Sequence, residues 1–231
     1  MLFSKFFHSL LSPKYFDRFS KKCIPWLSLL VIVSLSYGLV GGLILSPADY
    51  QQGDAFRIIY IHVPAAFLSL SIYSTMAVFA VIAMIWKIKL ADKAIRASAP
   101  IGASFTLLAL ITGSLWGKPM WGTYWIWDAR LTSELILLFL YLAYLAITHA
   151  FIEKKQATLA GRLIVIVGAI NIPIIHYSVY WWNTLHQGAT LSKFAKPSIA
   201  SSMLYPLLSM IVAFFSYYIL LLFLRLRTQT K

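Results

Sequence analysis

The sequence predicts an all-α, polytopic membrane protein with six transmembrane helices and both termini in the cytoplasm. Three observations carry that reading. Hydrophobic residues fill 60% of the 231 positions and charged residues only 12%, against about 25% charged in an ordinary soluble domain. The apolar residues gather into six runs, each close to the ~20 residues that one helix needs to cross a bilayer. The basic residues are shared very unevenly between the loops that join those runs. Such a composition excludes a disordered chain, a coiled coil and an ordinary soluble enzyme.

The runs fall at residues 26–45, 60–86, 97–116, 131–152, 161–180 and 203–224. Pro173 lies inside the fifth. It predicts a bend there, because its ring removes a backbone donor and crowds the preceding turn. Pro206 sits early in the sixth, where a missing N–H is better tolerated. The basic stretch before the first run is not followed by a small-residue cleavage site, so that run reads as a retained helix. With no internal repeat and no low-complexity segment, residues 1–231 read as a single domain.

Lys and Arg number 20 against 7 Asp and Glu, a net charge of +13. Fifteen of the 20 fall in the termini and in the loops that share their side, from Lys5, Lys14, Arg18, Lys21 and Lys22 to Arg225, Arg227 and Lys231. The opposite side holds only Arg57, Lys118, Arg130, Lys193 and Lys196. Positive loops stay inside, which places both termini in the cytoplasm and sends the segments 46–59, 117–130 and 181–202 outward. The bias also accounts for the charge without nucleic acid as a partner. Cys23 is the single cysteine, so neither an intramolecular disulfide nor a CxxCH haem-attachment site exists. Walker A, dinucleotide, HExxH and nucleophile-elbow patterns are also missing. The chain is therefore expected not to be an enzyme.

The chemistry gathers on the outer side. Residues 116–130 read WGKPMWGTYWIWDAR, and Gly117, Pro119 and Gly122 mark the stretch as a loop. An interfacial aromatic belt explains Trp26, Trp86 and Trp116. It explains less well the dense group Trp121, Tyr124, Trp125 and Trp127. His62 opens the second run in YIHVPAAF, His186 lies in the outer segment WWNTLHQG, and His176 follows Pro173. Each could be a hydrogen-bonded structural histidine. Two of them meeting over an aromatic shelf would be suited to iron, with one ring nitrogen on the metal and the other fixed by an acceptor. Asp128 fits either a helix N-cap or a ligand contact. Glu134 could pair with Arg130 at i, i+4.

Haem suits such a shelf. It is a flat apolar disc with two axial positions, and its propionates would seek Lys118, Arg57, Arg130 or the amide of Asn183. Quinones and lipids also suit aromatic surfaces.

The stretch WGKPMWGTYWIWDARLTSELILLFLYLAY resembles the tryptophan-rich WWD signature of the haem-handling family of cytochrome c maturation. YIHVPAA before it and NIPIIHYSVYWWNTLHQG after it extend the likeness. The short, six-helix length separates the chain from the larger haem lyase subunits that share the signature. The resemblance implies a haem b platform at Trp121, Gly122, Trp125, Trp127 and Asp128, with His62 and His186 as axial ligands of the haem iron. No ligand role passes to His176. It implies partners as well: an ABC transporter ATPase and its membrane subunits, a small single-helix accessory subunit, a periplasmic haem chaperone and membrane lipid. The place implied is the bacterial inner membrane, with the working face periplasmic. Two other readings stand beside haem presentation. One is a transmembrane haem permease, which the lack of a matching cluster on the inner side does not favour. The other is an assembly subunit whose aromatics bind a partner protein or lipid.

Overall fold

The computed structural model describes residues 13–182, 184–186 and 199–230. Six spans among them are long and apolar enough to cross a membrane. Helix α1, Pro13–Leu39, runs into a π-helical turn, Val40–Leu45. A 3-10 turn, Asp54–Ile58, leads into α2, Ile59–Trp86. Helix α3 is Lys89–Trp121 and α4 is Ala129–Ala150. The fifth span is split into α5, Lys154–Gly168, and α6, Asn171–Trp181. Helix α7 is Ser201–Thr230. No strand occurs among the described residues.

Helix α3 is the axis of the bundle. Of its most apolar window 67% is buried, against 22–39% for the other five spans. Its run ASAPIGASFTLLALITG is rich in small residues, which let neighbouring backbones approach closely within a membrane. Several buried polar groups find partners inside the bundle, where water is not available to them. The Tyr141 hydroxyl donates to Ser69 O at 2.7 Å, and Tyr73 donates to Ile164 O at 3.2 Å. The Asn171 amide donates to Ser133 O at 2.9 Å.

The two chain ends meet at one end of the bundle. Arg227 Nε donates to Asp17 at 3.1 Å, and Lys93 Nζ donates to Gln229 O at 2.7 Å. Arg162 grips both oxygens of Asp92, at 2.8 and 2.7 Å. Six crossings and adjacent termini give a basic end and, opposite to it, an aromatic end. Lys5 and Lys231, counted with the basic side, lie outside the described residues, as do Lys193 and Lys196 of the other side.

Several helices outrun their apolar runs. Helix α1 begins at Pro13 and α3 spans Lys89–Trp121, because polar residues continue a helix beyond the hydrocarbon at little cost. One consequence corrects the sequence reading. Gly117 and Pro119, taken as loop residues, are helical, and the chain turns only at Gly122. Gly122 has φ +76°, a conformation that glycine adopts without steric cost. The bend expected from Pro173 is found one turn earlier, as a break at Ala169 and Ile170. Pro173 then sits in the first turn of α6, where its missing N–H leaves no bond unmade.

Candidate functional site

A cavity of about 250 Å³ opens at the aromatic end. Residues from α2, α3, α4, α6 and α7 line it, together with Gln52, Phe56, Leu185, His186 and Ile199. Of the seven residues expected to form the platform and the axial ligands, three are on its wall: His62, Trp121 and His186. The two imidazoles are 124 positions apart in the chain.

His62 is held by α3. Its Nδ1 lies 3.1 Å from Ala109 O and 3.1 Å from Thr112 Oγ1. A carbonyl oxygen only accepts, so Nδ1 carries the proton and Nε2 keeps its lone pair. The Thr112 hydroxyl spends its own proton on Leu108 O at 2.6 Å. Trp116 meets the imidazole edge to face at 5.7 Å, and its indole N–H is anchored by Gln52 Oε1 at 2.9 Å. Gly113 makes this fit possible, since a Cβ there would stand 3.0 Å from His62 Cε1.

His186 is held the same way from a different direction. Its Nδ1 donates to Asp128 Oδ2 at 2.9 Å, and its ring meets Trp121 at 4.8 Å. The other Asp128 oxygen accepts from Leu131 N at 2.7 Å and caps α4. Of the two roles weighed for Asp128 the N-cap is the one found, and a further one joins it: both oxygens are committed, one to the helix and one to His186. Burial holds the His186 imidazole below its ordinary pKa; Asp128 opposes that shift and Arg130 reinforces it. At neutral pH the ring is uncharged, and its Nε2 is a free lone pair.

The other candidates are placed differently. Trp125 and Trp127 pack edge to face at 5.4 Å and do not line the cavity. Trp127 is 77% exposed. The Trp125 indole N–H is buried with no hydrogen-bond partner among the described residues. Gly122 serves as the helix stop. Of the cations weighed as anion partners, Arg57 caps the first span instead: it donates to Gly42 O, Leu43 O and Ser46 Oγ at 3.2–3.3 Å and pairs with Asp54. Lys118 donates to Gly122 O at 3.0 Å and lies over the Tyr124 ring. Arg130 alone of them lines the cavity. Asn183 lies outside the described residues.

The expected Arg130–Glu134 contact does not form as an ion pair among the described residues. Ser69 of α2 donates to Glu134 Oε1 at 2.8 Å instead, so both side chains reach the cavity wall separately. Thr112, Ala109, Gly113 and Gln52 were not singled out in the sequence. Thr112 and Gly113 do stand out as a polar and a small residue interrupting the apolar run LLALITGSLW, but nothing local tells which imidazole they serve.

Fold and cavity together define a multi-pass membrane protein with a twin-imidazole, tryptophan-walled cavity at one end. The chain belongs to the heme exporter protein C family, whose model matches residues 6–231. It is 50% identical to heme exporter protein C of Haemophilus influenzae over 225 residues, covering 97% of this chain and 92% of the relative. The Escherichia coli K12 protein of the same name is 54% identical over 186 residues, covering 80% and 76% of the two chains. A putative cytochrome c biosynthesis ccmC-like mitochondrial protein of Marchantia polymorpha is 49% identical over 171 residues, covering 74% and 72%.

Proposed function

We propose that this chain is a haem-handling subunit of cytochrome c biogenesis that holds haem b in the cavity at the aromatic end. That end faces the periplasm of a bacterial inner membrane, and the site presents haem to a periplasmic haem chaperone. The chain works beside an ABC-type ATPase with its membrane subunits and a small single-helix subunit. One observation carries the reading: two imidazoles on one cavity, each with Nδ1 tied down and with no partner on Nε2 among the described residues. A histidine whose second nitrogen is fixed by an acceptor is the usual arrangement of a metal-binding imidazole.

The donor set suits haem. The walls are apolar and aromatic, two neutral imidazoles supply axial nitrogen, and Arg130 supplies a cation for a propionate. Bound haem brings the iron and the vinyl groups on which covalent loading of a partner depends. His62 and His186 hold and orient the metal. Trp116 and Trp121 hold the imidazoles in place and shield them from water. Trp125, Trp127 and Asp128 act around this pocket: Asp128 through His186, and the exposed Trp127 as a surface for the chaperone. The cavity is slightly smaller than the ~300–1,000 Å³ of closed small-molecule pockets, so haem would keep an edge outside the wall. Presentation to another protein needs such an edge. The cavity belongs to one end of the bundle only, which favours presentation over a permease path.

The test is haem titration of the purified chain. The wild type is expected to develop a Soret band, His62→Ala and His186→Ala to lose most of its intensity and shift it, and the double variant to lose it. Wild-type spectra in both single variants, with normal loading of the chaperone, would defeat the assignment.

A further inference from the structure

The cavity also opens sideways. Several residues of its wall lie on the flank of the bundle: His176 and Tyr180 are exposed, and Phe67, Leu70 and Val179 are half-buried. The cause is the break in the fifth span. Below it, α5 packs against α2, with Tyr73 of α2 donating to Ile164 O. At Ala169 and Ile170 the chain turns, and its amides stay satisfied, Ala169 N donating to Val165 O and Ile170 N to Val167 O. Above the break, α6 is held by α4 through Asn171 and Ser133. Its backbone packing against α2 is sparse. The two spans therefore touch at the level of Tyr73 and diverge towards the aromatic end, leaving a cleft between α2 and α6.

The cleft reaches deep into the membrane. Leu70 is eight residues below His62 on the same helix, roughly 12 Å along its axis. Phe67, Leu70, Ile175 and Val179 line it, with the imidazole of His176 beside them. An apolar rim at this depth borders acyl chains rather than water. A flat amphipathic molecule dissolved in the bilayer could slide through edge-on and reach His62 and His186 without crossing the aqueous end.

We propose that the α2–α6 cleft is a lateral portal through which a ligand of the haem class enters the cavity from the bilayer, with His176 the first imidazole it meets. This rests on the reading of the cavity as a haem site, and the test separates the two. In a Cys23→Ser background, a bimane label on Leu70→Cys in reconstituted full-length chain should be quenched at least twofold more strongly by nitroxide lipid than by iodide. Stronger quenching by iodide overturns the portal, whatever haem does. For the ligand route, Leu70→Trp/Val179→Trp should slow Soret development from haem-loaded vesicles at least fivefold more than it slows development from haem added in water. His176→Ala should also slow uptake from vesicles more than uptake from water. A wild-type rate in the double Trp variant overturns the entry route. A wild-type chain with no Soret band from any source defeats the haem site instead, and the bimane result still decides whether lipid reaches the cleft.

Discussion

The two ends of the bundle treat their polar side chains in opposite ways. At the basic end the two aspartates are paired and Arg96 has a hydroxyl acceptor: Arg162 grips Asp92 with two bonds, Arg227 reaches Asp17, and Arg96 donates to Thr158. At the aromatic end the groups that face the cavity are half-used. Each imidazole has one nitrogen engaged and one open, and Arg130 has no ion pair among the described residues. A fold that needed these groups only for stability would satisfy them internally. On the proposed reading, the basic end is a structural clamp and the aromatic end is the site.

The strongest way to break the comparison is at Asp128, the only residue whose carboxylate serves both purposes. Asp128→Ala removes the acceptor that orients His186, and haem affinity is expected to fall about 10–100-fold, as for other acceptors behind metal-binding histidines. It also removes the cap of α4, worth about 1 kcal/mol. Soret titration and thermal unfolding separate the two losses. Unchanged affinity in a folded variant would remove Asp128 from the site.

Next comes the fit around His62. Gly113→Val places methyl groups where a Cβ alone is already 3.0 Å from the ring. The imidazole must tilt away from Ala109 O, and affinity should drop about tenfold, within the range for disturbing the support of a metal ligand. A variant that binds haem as tightly as the wild type would show that the ring has room to spare.

A smaller effect is expected from pH. His186 is held below its ordinary pKa in the folded chain, so the folded state binds fewer protons there than the unfolded state does. Its contribution to stability is whole above the unfolded value of ~6.5 and is lost as pH falls through the lower folded value. Protonation also competes with iron for Nε2. Between pH 7.5 and 6 haem affinity should fall by no more than about threefold, and below that more steeply. A fall that begins above pH 7 would mean that His186 is charged at rest.

These expectations show what could be read from one sequence and what could not. His62, His186 and Trp121, which share one cavity, were legible as candidates because an ionisable or amphipathic side chain beside an apolar span is rare. The link between His186 and Asp128 was not, because it joins residues 58 apart through an outer segment. Six spans followed from hydropathy, yet Gly117 and Pro119 were misread as loop, since both residues also occur inside membrane helices. Arg57 and Lys118 looked like anion binders because a sequence shows a charge but not the helix-end carbonyls waiting for it.

The smallest effect on the site is expected from the clamp itself, and for that reason it sharpens the comparison most. Asp92 and Arg162 are half-buried at the basic end, with side-chain exposures of 16% and 21%. An exposed pair would contribute under ~1 kcal/mol, and breaking a fully buried one costs ~3–5. Asp92→Asn should therefore lower stability by about 1–3 kcal/mol, since it leaves Arg162 with one good acceptor in place of two. Haem affinity should stay within about twofold of the wild type, because sites far apart with no shared partners act independently. Thermal unfolding beside Soret titration measures both. If the variant lost haem and stability together, the two ends would be coupled through α3, the helix that carries both Asp92 and the support of His62, and the division between clamp and site would have to be abandoned.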